Sequence, residues 1–184
     1  MPSNVLKRDL RTMKTNKALT EALPTLLGRQ NFLQITVNDL CSEALVSRAT
    51  FYAHFNDKYD LLEYWLADLK QKNIFKDNTC EQTKIIVNQC TKENKLIIRN
   101  LFGNANAETI KILCKHLLSI LNIYVEEDDN ERINPQDVVL YNFCAGGIIY
   151  YLNWQIENKF PSDMQVMNSY FFDLVQHLQK WNPS

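Results

Sequence analysis

Residues 35–62, ITVNDLCSEALVSRATFYAHFNDKYDLL, constrain the fold of this chain more than any other stretch. They carry three helix-start signals in close succession. Thr36 is a natural N-cap, with Asp39 three residues on and Ile35 and Leu40 at the two positions of a hydrophobic staple. Ser47 repeats the arrangement, bracketed by Val46 and Phe51, and Asp57 can open a further helix with Asp60 at its third position. Helices are predicted over about 37–44 and 48–55, with only Leu45 and Val46 between the first and the cap of the second. That is the spacing of a helix-turn-helix, whose second helix enters the DNA major groove.

The stretch resembles the N-terminal DNA-binding domain of the TetR/AcrR family of bacterial one-component regulators. The residues that carry the resemblance are Ile35-Thr36-Val37, Ala44, Val46-Ser47, Thr50-Phe51-Tyr52, His54-Phe55, Asp57-Lys58 and Leu61-Leu62. An ordered match of this density is more specific than a lone short motif. Leu45 departs from the pattern, since many members have Gly in that turn. Gly relieves strain at positive φ, so Leu45 implies either ordinary backbone angles or a slightly strained turn, and a corresponding adjustment of the second helix.

Phe51 and Phe55 lie one turn apart and should face the core. Arg48, Ala49, Thr50, Tyr52, Ala53 and His54 then occupy the other faces. Arg is the strongest reader of guanine edges, and Ala and Thr methyls suit thymine methyls. Thr50, Tyr52 and His54 can donate to phosphate oxygens, which fixes register. The bland alternatives are that Tyr52 packs its ring across the first helix and that Arg48 is a solvated charge. Matched position by position, the resemblance implies DNA contacts at Thr36, Asn38, Ser47, Arg48, Ala49, Thr50, Tyr52, Ala53 and His54, with Lys58 holding a phosphate at the start of the next helix.

Charge is distributed to suit that reading. The net charge of the 184 residues is −1, yet Lys7, Arg8, Arg11, Lys14 and Lys17 face only Asp9 in residues 1–17. Residues 61–184 hold 12 Lys and Arg against 15 Asp and Glu. A basic end on a mildly acidic body fits a molecule that meets phosphate at one end.

The rest of the chain is read as helical, with no competing strand pattern. Apolar periodicity predicts a first helix over about 12–28, striped by Ala18, Leu19, Ala22, Leu23, Leu26 and Leu27, with a kink or early break at Pro24. The helix opened by Asp57 should run to about 73. Further helices are expected over about 81–92, 94–102, 107–125, 135–158 and 162–181, with an acidic loop over 126–134. The helix over 135–158 is apolar nearly all round, which calls for neighbours on most sides. Gly146-Gly147 in its middle suits the close approach of another backbone. In the last helix Met164, Met167, Phe171, Leu174, Leu178 and Trp181 follow the 3-4 spacing of a bundle seam.

The fold class expected is all-α: a three-helix DNA-binding domain over 1–60, joined by a long helix to a helical effector-binding and dimerisation domain over 61–184. The resemblance implies a homodimer that pairs its last two helices, with Gly146, Gly147, Met167, Phe171, Leu174 and Leu178 as interface candidates. It also implies a small-molecule effector of unknown identity among the middle helices, for which Trp65, Phe102, Tyr124, Tyr141, Tyr151 and Trp154 are lining candidates. Aromatics at helical spacing are more often plain core.

The functional expectation is a cytoplasmic repressor that binds a near-palindromic double-stranded operator and is released by its effector. The rivals are an adaptor of the same fold that acts through a partner protein, and a small-molecule or metal-binding protein with a vestigial head. No enzyme is expected, because the chain lacks a phosphate loop, a Gly-x-Ser-x-Gly and a His-Glu-x-x-His. No cofactor or metal is expected either: the five Cys are scattered, and Cys114 and His116 do not share a helix face. The longest apolar run, 143–152, is too short to span a bilayer, so no membrane partner is expected.

Overall fold

The computed structural model describes residues 3–69, 94–120, 135–159 and 161–180. Every regular element among them is an α-helix: α1 Ser3–Leu27, α2 Val37–Glu43, α3 Arg48–Tyr52, α4 Lys58–Leu69, α5 Lys95–Phe102, α6 Ala107–Ile120, α7 Pro135–Glu157 and α8 Met164–Gln179. The expected helix over 81–92, the acidic loop over 126–134, Tyr124, Trp181, Cys80 and Cys90 lie outside the described residues. The chain divides into two compact units, Met1–Asp68 with Leu96–Thr109, and Leu69–Lys95 with Ile110–Ser184.

The first unit is built on α1. The helix starts well before residue 12 and runs through Pro24 to Leu27 without breaking. A proline in a helix interior costs about 3 kcal/mol. Leu26 and Leu27 beyond it are both buried, and each contributes about 1.5–3 kcal/mol, so continuing the helix wins. The predicted stripe meets the core, with Leu19, Ala22 and Leu23 also buried. Phe32, Ile35, Leu40, Phe51, Phe55, Leu61, Leu62 and Trp65 complete that core together with Leu101 and Phe102 of α5.

The short helices are set by their caps. Asp39 N–H donates to Thr36 Oγ1 at 3.1 Å while Asp39 Oδ2 accepts from Thr36 N–H at 2.8 Å, a complete capping box. Thr50 N–H donates to Ser47 Oγ at 3.1 Å. Asp57 Oδ1 accepts from Tyr59 and Asp60 N–H at 2.8 and 2.9 Å, which opens α4. Each cap satisfies donors that a helix start leaves without partners. Leu45 takes φ 54°, in the left-handed region, so the strained alternative for the turn is the one adopted.

Segment Leu96–Thr109 belongs to the first unit through specific polar contacts. Asn100 Nδ2 donates to Leu27 C=O at 2.7 Å, and Phe32 N–H donates to Asn100 C=O at 2.9 Å. Asn106 Nδ2 reaches the Tyr59 hydroxyl at 2.9 Å, while its Oδ1 caps α6 at Thr109 N–H.

In the second unit α7 and α8 pack around Cys114, Leu118, Cys144, Ile148 and Val175. Tyr151 stacks on Phe171 with ring centroids 4.8 Å apart. A buried polar group lies beside them: Tyr151 OH and Gln155 Nε2 both donate to Asn168 Oδ1, at 2.8 and 2.7 Å. Contrary to the all-round apolar pattern, α7 leaves Val139, Phe143 and Tyr150 exposed, and α8 leaves Val166, Tyr170 and Leu174 exposed. Cys41, Cys114 and Cys144 are buried free thiols, and burial pushes the pKa of each above the usual thiol value.

Candidate nucleic-acid interface

Apart from Lys58 at the start of α4, the residues expected to read DNA lie on or beside α2 and α3. Phe51 and Phe55 are buried with centroids 5.9 Å apart, and Phe55 meets Tyr64 edge-on at 5.4 Å. This anchors one side of α3. Ser47, Arg48, Ala49 and Ala53 are exposed, Tyr52 is 50% exposed, and Thr50 and His54 are half-buried. The Arg48 guanidinium lies 5.8 Å from the Tyr52 ring centroid, a cation–π contact that holds both side chains on the open face. Tyr52 does not fold its ring away, because Phe51 occupies the core side and meets it edge-on at 5.5 Å.

α3 closes at Tyr52, three residues earlier than its apolar pattern suggests. Ala53 N–H still makes the α-helical bond to Ala49 C=O, and the chain tightens only at His54, whose N–H donates to Phe51 C=O. The cap at Asp57 follows too closely for another helical turn, so Ala53 and His54 stay beside the recognition face.

Four of the predicted residues, Thr36, Ser47, Thr50 and Lys58, are engaged inside the protein. The Thr36 hydroxyl donates to Asp39 Oδ2 at 2.7 Å. The Thr50 hydroxyl lies 2.8 Å from Ser47 Oγ. Lys58 Nζ donates to the carbonyls of Phe32, Leu33 and Ile35 at 3.0, 3.0 and 2.9 Å. Pattern matching gives Lys58 to phosphate, whereas the structure gives its protons to protein oxygens. The outward set is therefore Asn38, Arg48, Ala49, Tyr52 and Ala53, with His54 at its edge. On α1, Arg11 and Lys14 are exposed and Lys17 pairs with Glu21 at 3.7 Å, while the side chains of Lys7 and Arg8 lie outside those described.

Residues 19–64 match the family model described as bacterial regulatory proteins, tetR family. The match covers the helix-turn-helix and its flanking helices, so this head is similar to those of TetR regulators. The uncharacterized HTH-type transcriptional regulator YxbF of Bacillus subtilis (strain 168) is 38% identical over 56 residues. That stretch is 30% of this chain and only 15% of the relative's length. Among solved structures, a TetR transcriptional regulator from Streptococcus agalactiae 2603V superposes with a TM-score of 0.65 at 23% identity, over 93% of this chain and 98% of that one. The dihydroxyacetone kinase operon activator DhaS gives 0.54 at 17% identity, over 92% and 98%. At these identities the likeness is one of fold alone.

The described aromatic candidates for an effector pocket are divided between the two units. Trp65 and Phe102 are buried in the first unit, whereas Tyr141, Tyr151 and Trp154 belong to the second. Of these, Tyr141 borders a cleft of about 480 Å³ between α6 and α7, with Lys111, Cys114, Asn142, Ile149 and Asn153 among its walls. Tyr151 is taken up by Asn168 and Phe171.

Of the interface candidates, Phe171 stacks on Tyr151 of the same chain, and its ring edge lies 3.9 Å from where a Cβ on Gly147 would stand. Gly146 has nothing within 4 Å of where a Cβ would stand, and Leu174 is exposed. Met167 and Leu178 are half-buried. Among the described residues no helix is long and apolar enough to cross a membrane, and no three metal-ligating side chains gather.

Proposed function

We propose that the chain is a TetR-type one-component repressor that binds a near-palindromic operator as a homodimer and is released by a small-molecule effector. The observation that carries this reading is α3. It is a capped helix with its two phenylalanines sealed in the core and Arg48, Ala49, Tyr52 and Ala53 turned outward. A polar, aromatic and methyl-bearing face of that kind suits base edges in a major groove. Asn38 extends the surface from α2.

Dimerisation is supported by the uncovered apolar stripes of α7 and α8, with Phe143 62% and Tyr150 77% exposed and Gly146 open between them. Monomeric proteins rarely leave such faces bare. A twofold pair would present two α3 helices to successive major grooves. The cleft bordered by Tyr141 and Lys111 is the effector site favoured by its volume and mixed walls. Effector binding need supply only a few kcal/mol of differential affinity between two arrangements of the heads to release the operator.

The test is selection of bound duplexes from a random pool by the full chain at stated salt. Enrichment of a palindrome with half-sites about 10 bp apart, or a multiple of that, is the expected result. Failure to enrich any sequence while the protein is folded would favour the adaptor instead.

A further inference from the structure

We propose that the cleft between α6 and α7 takes a small aromatic monocarboxylate, whose anionic end meets Lys111 and whose flat body lies on Ala145 and Gly146. The proposal rests on the reading of this cleft as the effector site. Its volume of about 480 Å³ falls within the range of small-molecule sites, about 300–1,000 Å³. Among the described residues that line it, Lys111 supplies the one charge, and no carboxylate is present. The Lys111 side chain is exposed and forms no ion pair among the described residues, so its charge is free to meet a ligand.

The rest of the wall decides what such an anion carries. Ile110 of α6 and Ile149 of α7 give an apolar lining. Cys114 adds to it, since burial raises its thiol pKa and keeps the group neutral. Ala145 and Gly146 are adjacent in the wall, and nothing stands within 4 Å of where a Cβ on Gly146 would be. Small residues of this kind let a flat group come close to the helix backbone. Tyr141 lies one turn before Ala145 and Tyr150 one turn after Gly146, and aromatic rings favour offset or edge-on contact with another ring. Asn142 and Asn153 add neutral amides, which accept and donate without favouring either sign of charge. A phosphate ester suits these walls less well. It brings nearly two negative charges, and one lysine is a single point charge with no guanidinium fork.

The experiment is calorimetric titration of the full chain with benzoate, cinnamate and 2-naphthoate, each against its primary amide, and with phenyl phosphate. The amide keeps the shape of the acid and loses its charge. At least one acid should bind, about tenfold or more tighter than its amide, because hydrogen bonds to charged groups are the stronger kind. In Lys111→Gln that acid should fall to the affinity of its amide, while the amide binds as it does to the wild type. Lys111→Arg should keep the preference for the acid. Gly146 and Tyr150 also belong to the exposed face of α7, so the body of the ligand is tested at Ala145 instead. Ala145→Leu fills the floor and should weaken acid and amide alike by about tenfold; the exposed Lys111 variants keep the test decisive if this one does not fold. Equal affinities for acid and amide, a preference that survives Lys111→Gln, tighter binding of phenyl phosphate than of any acid, or no binding of any acid at millimolar concentration would each overturn the proposal. The acid that binds is then added to a duplex selected by the wild-type chain. Release from the wild type but not from Lys111→Gln supports both readings together. If the acid binds and the duplex is retained, the effector reading fails while the ligand class stands, and if no duplex is selected, the DNA-binding reading fails separately.

Discussion

Leu45→Gly should make the protein more stable, although it deletes a large apolar side chain. Leu45 holds φ 54° at the turn between α2 and α3. A residue with a Cβ in that region carries roughly 1–2 kcal/mol of strain. Glycine removes the strain but loses more backbone entropy on folding, an offset of about 0.5–1 kcal/mol. The usual penalty for truncating a leucine is missing, because Leu45 is 92% exposed and buries almost nothing. The two retained bonds of the turn, Leu45 N–H to Ser42 C=O and Val46 N–H to Cys41 C=O, are backbone bonds that glycine keeps. The net gain is about 0.5–1 kcal/mol, or about 1–4 °C in Tm for a chain of this size. Urea titration of the wild type, Leu45→Gly and Leu45→Ala reads it directly. Alanine also lacks the leucine side chain yet retains the Cβ, so it should show no such gain. Equal midpoints for the glycine and alanine variants would show that the turn stores no strain.

Arg48→Ala should lose discrimination at one base pair per half-site by about 1–3 kcal/mol; equal loss on every operator variant would move Arg48 to the backbone. Phe143→Asp should leave the protomer folded, since the side chain is exposed, and should convert a dimer to monomer in sedimentation. Burying a phenylalanine is worth about 1.5–3 kcal/mol and a twofold interface counts it twice, so a dimer that persists unchanged would place the interface elsewhere. The carboxyl of Asp39 is held below its ordinary pKa by the Thr36 backbone N–H and then by the Thr36 hydroxyl. A depressed acid stabilises the fold above its unfolded pKa and loses that contribution as pH falls through the folded one. The stability gap between wild type and Asp39→Asn should therefore be open at neutral pH and close below about pH 4; a gap constant across that range would remove Asp39 from the acid response.

What the sequence discloses depends on how far apart the interacting groups lie along the chain. The caps at Thr36, Ser47 and Asp57 join residues two or three positions apart, and each is present as read. The stripe of α1 and the split between buried Phe51 and exposed Arg48 follow from one helical repeat and are equally local. Lys58 is different. Its acceptors lie 23 to 26 residues upstream, and they are backbone oxygens, which any residue type supplies. No pattern of side chains could have revealed them. Asn100 bonds Leu27 across 73 residues in the same way, so the return of Leu96–Thr109 to the head left no mark in hydrophobic periodicity.

The apolar surface of α7 exposes a further gap, one of attribution rather than distance. Periodicity establishes that a face wants an apolar neighbour, and on α7 it does so for nearly the whole circumference. It carries no information on whether that neighbour belongs to the same chain or to a second copy. The two adjacent glycines separate the cases. A Cβ on Gly147 would stand 3.9 Å from Phe171 of the same chain, while a Cβ on Gly146 would point into open space. A Cβ at Gly147 would meet only ordinary contact with a ring edge. If the apolar stripes pair about a twofold axis, a Cβ at Gly146 would stand between two approaching helices. Gly146→Ala should then weaken the dimer while leaving the protomer's own stability at least equal, because alanine is favoured over glycine by about 1 kcal/mol within a helix. Gly147→Ala should stabilise the protomer and spare the dimer. Sedimentation equilibrium on the two variants separates these outcomes, and identical association constants would mean that the open space at Gly146 faces solvent in the assembled protein.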